Sequence, residues 1–321
     1  MQQYNSSALA NGTYGPDLSA GVLVPSMILG LCFVLGVPGN VTVLAVLIQR
    51  LKGDNFTFRL MLSLAVSDLL TLLTLPVWIC ALLWGWIFGL GLCKFLSYLI
   101  YWSLYSSVMN VTLLSAQRYV QVLYPNRWSK LGNPVRLALL LSTWVVGGVL
   151  AAPALVHRQV RRYDGEPKLY CHALYASREE QAATLLLETL LGFVIPFSVL
   201  VSFYFSLHKR VNQTPLFSSR RMTRLVSSIV VCFFIFWVPI HIINILTISA
   251  IWSESDKLMD LSDFVAGITG ALTFINSCVD PFLYAFSSKA LRRSATKCLP
   301  ESKLETGSIE GGTTVMSTHL N

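Results

Sequence analysis

Seven long apolar stretches separated by short polar connectors dominate the chain: residues 22–48, 58–84, 95–123, 135–156, 182–207, 225–250 and 264–286. A bilayer core about 30 Å thick is crossed by roughly 20 apolar residues of helix, and each stretch meets that length. In hydrocarbon every backbone polar group must be satisfied internally, which leaves helices or closed barrels, and no stretch alternates as a barrel strand does. Composition agrees, with 54% of the 321 residues hydrophobic, 12% charged and a mean hydropathy of +0.60. The chain therefore reads as an all-α membrane protein, a seven-transmembrane-helix bundle over residues 22–286.

Charge sets the orientation. Most of the 24 Lys and Arg fall in the connectors on one side of the bundle and in the C-terminal tail, and such an excess marks the cytoplasmic face. The N-terminal segment 1–21 is expected outside. At the other end, an amphipathic, basic helix over 287–298, lying along the inner surface as an eighth helix, is expected to lead into a disordered cytoplasmic tail over 299–321. The net charge of +8 needs no nucleic acid to explain it, since attraction to anionic inner-leaflet lipid suffices. Asn5 and Asn11 head N-x-S/T glycosylation acceptors in the outer segment. Cys93 and Cys171 lie in oxidising surroundings where a bridge can form, Cys298 follows the basic stretch and is a candidate for palmitate, and the remaining cysteines lie in apolar runs.

Ionisable groups within the spans point to function. Asp68 and Asp280 fall on helices two and seven, with Asn276 one turn from Asp280 and Ser107 on helix three. Together they could hold a hard monovalent cation such as sodium or a proton, or simply form a hydrogen-bonded packing network. Trp237, His241 and Asn244 share a helix face around Pro239, an arrangement that suits a ligand floor on a hinge. No constellation for catalysis is present: there is no H-E-x-x-H, no G-x-S-x-G and no phosphate-binding glycine loop. An ion or solute transporter is a further possibility, weakened by the odd helix number and the lack of an internal repeat.

In order along the chain stand "GVPGN", "LAVSDLL", Cys93 and Cys171, Trp144, "QRY", Pro196 with Tyr204, "FWVP" and "DPFLY". On these residues the chain resembles a rhodopsin-like (class A) G-protein-coupled receptor over essentially its whole length. The resemblance implies that Arg118 faces a heterotrimeric G protein in the active state, supported by Tyr204 and Tyr284. It also implies that Asp68, Ser107, Asn276 and Asp280 form a sodium site. Two positions depart from the family pattern: Gln117 stands where an Asp usually precedes Arg118, and Asp280 replaces an Asn. A neutral Gln117 offers Arg118 only ordinary hydrogen bonds in place of a charge-assisted pair.

Ligand class follows from what is present and absent. The outer half of helix three carries no acid for an amine ligand, and helix seven no lysine for retinal. Tyr98, Tyr101 and Tyr105 make an aromatic face on helix three, while Arg158 stands at the outer end of helix four. An apolar cavity with an arginine at its mouth suits a lipid with a carboxylate head. The stretches "LYSSV", "APALVHR", "LETLLGFVIPF" and "FWVPIHIINIL" are similar to the leukotriene B4 receptors. That resemblance implies leukotriene B4 as ligand, a pocket holding Arg158, Glu188, His241 and Asn244, an inhibitory G protein, and a tail open to receptor kinases and arrestin. A chemoattractant peptide receptor is the alternative, although the outer N-terminus is short and has Asp17 as its only charged side chain.

Overall fold

The structure, a computed structural model, describes residues 19–50, 55–162, 167–211 and 217–297. Among them six helices are long and apolar enough to cross a membrane. The first is α1 (Ala20–Arg50); the second is built from α2 (Phe56–Leu72) and α3 (Leu75–Trp84). The fourth comprises α6 (Asn133–Ala151) and α7 (Pro153–His157). The fifth runs from α8 (Arg178–Thr189) through a π-helical turn (Leu190–Val194) into α9 (Ile195–Val211), and α10 (Phe217–Trp252) and α11 (Asp256–Lys297) complete the set.

The third helix, α4 (Gly89–Leu123), is the more polar one, and the packing explains why. It contacts α2, α6, α7, α9 and α10, so its side chains meet protein on nearly every side. Ser103, Ser106, Ser107, Asn110, Ser115 and Gln117 are all buried along it. Elsewhere the arrangement is inverted relative to a water-soluble domain: Leu31, Val34, Val145, Val149 and Phe264 point outward, as expected where lipid is the solvent.

Prolines act where the sequence places them. Pro76 sits in the first turn of α3 after a break at Leu73 and Thr74, and Pro153 opens α7 after Ala152. Pro196 follows the π-helical turn, in which the Ile195 amide donates to the Leu190 carbonyl. That widening fits a proline whose ring would crowd the carbonyl four residues back. Pro239 and Pro281 are carried inside unbroken helices.

Helix α11 bears on the expected eighth helix without showing it. A separate surface helix over 287–298 is not present as its own element, because α11 continues without a break to Lys297. No glycine or proline lies between Phe282 and Lys297 to end it. Asn5, Asn11, Cys298 and the tail lie outside the described residues.

Close helix contacts depend on small residues. A Cβ at Gly147 on α6 would come within 2.9 Å of the Ser106 backbone nitrogen on α4, and one at Gly192 within 2.7 Å of the Tyr105 ring. Polar ties reinforce them: Trp144 Nε1 donates to Ser63 Oγ at 2.8 Å, and Asn40 Nδ2 donates to the Ser277 carbonyl at 2.8 Å.

On the outer side a two-stranded antiparallel hairpin, β1 (Arg158–Arg162) and β2 (Leu169–Ala173), lies over the bundle. The Cys93–Cys171 disulfide staples it to the start of α4. Trp86 N donates to Leu169 O at 2.7 Å and Lys168 Nζ to Leu83 O at 2.9 Å, so the hairpin is also anchored on α3 and the turn after it.

Candidate functional site

Beneath the hairpin lies a cavity of about 190 Å³ whose walls include Tyr101, Tyr105, His157, Arg158, Tyr175 and Glu188. Arg158 is the residue at which α7 gives way to β1, so the helix end carries its guanidinium inward and over the cavity. Its Nη2 donates to Tyr101 Oη at 3.3 Å and its Nη1 to the Cys171 carbonyl at 3.4 Å. The guanidinium carbon stands 5.8 Å from the centroid of the Tyr101 ring, which stacks on Tyr105 at 6.1 Å. These hydrogen-bond partners are neutral, so the charge that faces Arg158 across the cavity comes from Glu188.

Glu188 reaches the cavity from α8, within electrostatic range of Arg158 and bonded to the Asn244 side chain. Thr189, its neighbour, accepts a hydrogen bond from Asn244 Nδ2 at 3.4 Å and lies 3.4 Å from His241 Nδ1. Of the four residues expected in the pocket, Arg158 and Glu188 line the cavity, while His241 and Asn244 lie behind its wall, joined to it through Glu188 and Thr189. His241 stacks on Phe193 at 4.6 Å. Trp237 lies deeper, buried with Phe233, Ile100, Leu104 and Val108, and does not line the cavity.

Tyr98 goes elsewhere. It packs on Trp102 at 5.7 Å, and its hydroxyl lies over Gly148, where a Cβ would come within 3.1 Å of it. The space left by that glycine draws the ring to the α4–α6 interface. Thr189 and Tyr175 escaped the sequence reading; Thr189 adjoins Glu188 in an apolar run and could have been noticed as a second polar group there.

On the hairpin, burial together with the charges of Arg158 and Arg161 holds His172 below the ordinary histidine range. That shift disfavours a second cation beside Arg158.

Midway through the bundle Asp68, Ser107, Asn276 and Asp280 are all buried. Asp280 lies close enough to Asp68 for their carboxyl groups to interact. Ser277 also bonds the Asp68 carboxyl, while Ser107 Oγ and Asn276 Oδ1 have no hydrogen-bond partner among the described residues. An all-oxygen set of this kind fits a hard cation, whose charge would offset that of two neighbouring carboxyl groups.

At the opposite end from the hairpin, Gln117 Nε2 donates to Thr57 Oγ1 at 2.7 Å. Arg118 Nη2 donates to the same oxygen at 3.1 Å and its Nη1 to Gln121 Oε1 at 3.3 Å. Thr57 is positioned by the start of α2, where Asn55 caps the helix by accepting from the Thr57 amide at 3.1 Å. Tyr204 and Tyr284 lie on α9 and α11, with side chains outside the described set.

Comparison with known proteins supplies a context for this geometry. Residues 39–284 match the model of the 7 transmembrane receptor (rhodopsin family). The leukotriene B4 receptor 1 of Rattus norvegicus is 32% identical over 98% of this chain and 91% of its own length. Its Homo sapiens counterpart is 31% identical over 85% of this chain and 79% of its own. The type-1 angiotensin II receptor B of Mus musculus is 30% identical over 92% of this chain and 86% of its own.

Proposed function

The chain belongs to the rhodopsin family of seven-transmembrane receptors, and on that premise we propose that its ligand is a lipid mediator bearing a carboxylate, with leukotriene B4 the foremost candidate. Proteins of this family are multi-pass membrane receptors rather than enzymes, and the receptor is read as acting at the plasma membrane with the hairpin outside. The basic connectors and tail support that orientation.

The observation that carries the reading is Arg158 held over a cavity walled by Tyr101 and Tyr105. A guanidinium binds a carboxylate through two parallel charge-assisted bonds, and apolar walls receive a hydrocarbon tail. Glu188 then offers a polar partner to a hydroxyl along the ligand, and a tail that passes beyond the cavity wall would reach Thr189, His241 and Asn244 behind it. Two of the relatives are leukotriene B4 receptors, which supports the same choice. A peptide ligand is the second reading, favoured by the comparable identity to an angiotensin II receptor.

Signal transfer follows from the packing. His241 lies on the face of α10 that carries Trp237, and Trp237 stacks on Phe233 at 4.8 Å. A ligand that shifts His241 therefore displaces the buried packing between α10 and α4. At the inner end Arg118 leaves Thr57 and turns to a heterotrimeric G protein, of the inhibitory class by resemblance. In the oxygen cluster, Asp68, Ser107, Asn276 and Asp280 would hold sodium, which supplies charge neutralisation there and so favours the resting packing.

Equilibrium binding of tritiated leukotriene B4 to membranes carrying the receptor tests the ligand. Saturable binding displaced by unlabelled leukotriene B4 and not by angiotensin II supports the lipid reading. Displacement by the peptide, or no saturable binding at normal surface level, refutes it.

A further inference from the structure

We propose that Cys32 on α1 and Cys278 on α11 form a covalent modification site inside the bilayer, where an organic hydroperoxide carried by the membrane oxidises the two thiols to a disulfide that ties α1 to α11. Nothing in this site depends on which ligand the receptor binds.

The helix backbones bring the two thiols together. Cys32, Gly36 and Asn40 stand at four-residue steps on α1 and so share one face of the helix. That face lies against α11: Asn40 Nδ2 donates to the Ser277 carbonyl at 2.8 Å, and a Cβ at Gly36 would come within 3.0 Å of the Cys278 Cβ and 3.2 Å of its Cα. Glycine at 36 is what permits so close an approach. One turn along α1, the Cys32 and Cys278 thiols share a hydrogen bond. A disulfide needs Cβ atoms about 3.5–4.5 Å apart, which side chains on helices in such close contact can reach.

Burial decides which reagents matter. Cys32 and Cys278 are 2% and 8% exposed and pack among Leu29, Leu72, Leu75 and Ala271. That apolar shell excludes charged, water-borne reductants such as glutathione, so a bridge once closed persists. An organic hydroperoxide is neutral and concentrates in hydrocarbon. Leu31 and Leu35, on the same turns of α1, are 61% and 49% exposed and face lipid, so only the width of α1 separates the thiol pair from the bilayer. Cys80 on α3 and Cys232 on α10 are free thiols that are only partly buried, and they serve as internal controls.

The chemistry balances with the hydroperoxide as sole oxidant. One sulfur attacks a peroxide oxygen, the O–O bond breaks, the alcohol departs with the thiol proton, and a sulfenic acid remains. The second sulfur attacks the first, the S–O bond breaks, and the hydroxyl leaves as water with the second thiol proton. Two thiols and one hydroperoxide give one disulfide, one alcohol and one water. Attack is slow in hydrocarbon, where charge development is disfavoured, so the bridge records sustained exposure rather than a brief pulse. Cys278 stands two residues before Asp280 and next to Ser277, which bonds the Asp68 carboxyl. The bridge therefore fixes to α1 the part of α11 that carries the oxygen cluster.

The test is a cysteine map. The full-length receptor in vesicles of zwitterionic phospholipid is treated with cumene hydroperoxide, then unfolded, alkylated, digested and read by mass spectrometry. A peptide pair joined through Cys32 and Cys278 is expected to grow with exposure time, while Cys80 and Cys232 alkylate as free thiols. Because a cross-link restrains the unfolded chain, treatment is expected to raise the thermal midpoint of the unaltered receptor by several degrees, a rise that glutathione does not reverse and that Cys32→Ala lacks. Cys32 and Cys278 found free after treatment, or either one joined to a different cysteine, overturns the proposal. A midpoint rise that persists in Cys32→Ala overturns it as well. Should Cys32→Ala fail to reach the surface, the peptide map of the unaltered chain decides alone.

Discussion

The hydroxyl of Thr57 accepts a hydrogen bond from the side-chain amide of Gln117 at 2.7 Å, and the same oxygen accepts from Arg118 at 3.1 Å. A neutral hydroxyl thus receives the arginine, and Gln117 holds that hydroxyl rather than the guanidinium itself. A carboxylate partner, as Gln117→Asp would supply, adds charge–charge attraction that a neutral acceptor lacks, so Arg118 is released at lower cost. Ligand-independent G-protein activation at matched surface level is expected to fall in Gln117→Asp and to rise in Thr57→Val. One bond of this kind is worth about 1 kcal/mol, or roughly fivefold in the resting equilibrium. Equal basal activity in all three proteins would contradict the role given to Thr57.

Arg158 makes a second prediction. If its guanidinium binds the ligand carboxylate, Arg158→Ala loses about 1.5–3 kcal/mol, roughly 10- to 150-fold in affinity. Arg158→Lys keeps the charge but loses the paired geometry, so it falls between. Competition binding against labelled leukotriene B4 measures both, and an Arg158→Lys variant as weak as Arg158→Ala would show that charge contributes nothing there.

The oxygen cluster predicts a salt effect. A cation bound to the folded receptor stabilises it in proportion to the logarithm of its concentration above Kd. The thermal midpoint of the purified receptor should rise when sodium replaces a bulky organic cation at constant ionic strength, and Asp68→Asn and Asp280→Asn should each abolish the rise. A rise that survives both substitutions places the sodium effect elsewhere.

Helix packing predicts a stability loss at Gly147. A side chain there meets the backbone of Ser106, so Gly147→Val forces α6 away from α4 at a cost of about 1–3 kcal/mol. Gly21, with open space around it, is the control, and Gly21→Ala should leave the midpoint unchanged.

His172 carries a pH dependence of defined sign. Its folded-state affinity for protons is lowered by burial and by Arg158 and Arg161, so its contribution to stability is present above the ordinary histidine range. That contribution is lost as pH falls through the lowered folded value. Thermal stability should decline on acidification below about pH 6.5 and decline less in His172→Gln.

Much of the bundle was legible because hydrocarbon demands long apolar helices, and six of the seven announce themselves by hydropathy alone. The third is visible as a span yet more polar, since a helix enclosed by protein need not be greasy; Ser106 and Gln117 are buried there with polar or close-packed neighbours. The break at Ala152 and the π-helical turn each stand directly before a proline, Pro153 and Pro196. Side-chain direction was not legible. Tyr98, Tyr101 and Tyr105 share a spacing, but the gap over Gly148 turns Tyr98 away from the other two. Thr57 could not have been paired with Gln117 from the sequence, because 60 positions separate them and only the packing of α2 on α4 joins them. The continuation of α11 to Lys297 shows the converse: amphipathic composition identified a helix but gave no boundary, since no breaker residue marks one.

The central claim is that this receptor answers to a carboxylate lipid through Arg158. Its most direct measurement is G-protein activation in cells expressing the chain, as a dose response to leukotriene B4 beside mock-transfected cells and cells expressing Arg158→Ala. The account predicts a saturable response, absent from mock cells and shifted to higher concentration by the substitution. Silence at normal surface expression, or a response untouched by Arg158→Ala, would contradict it.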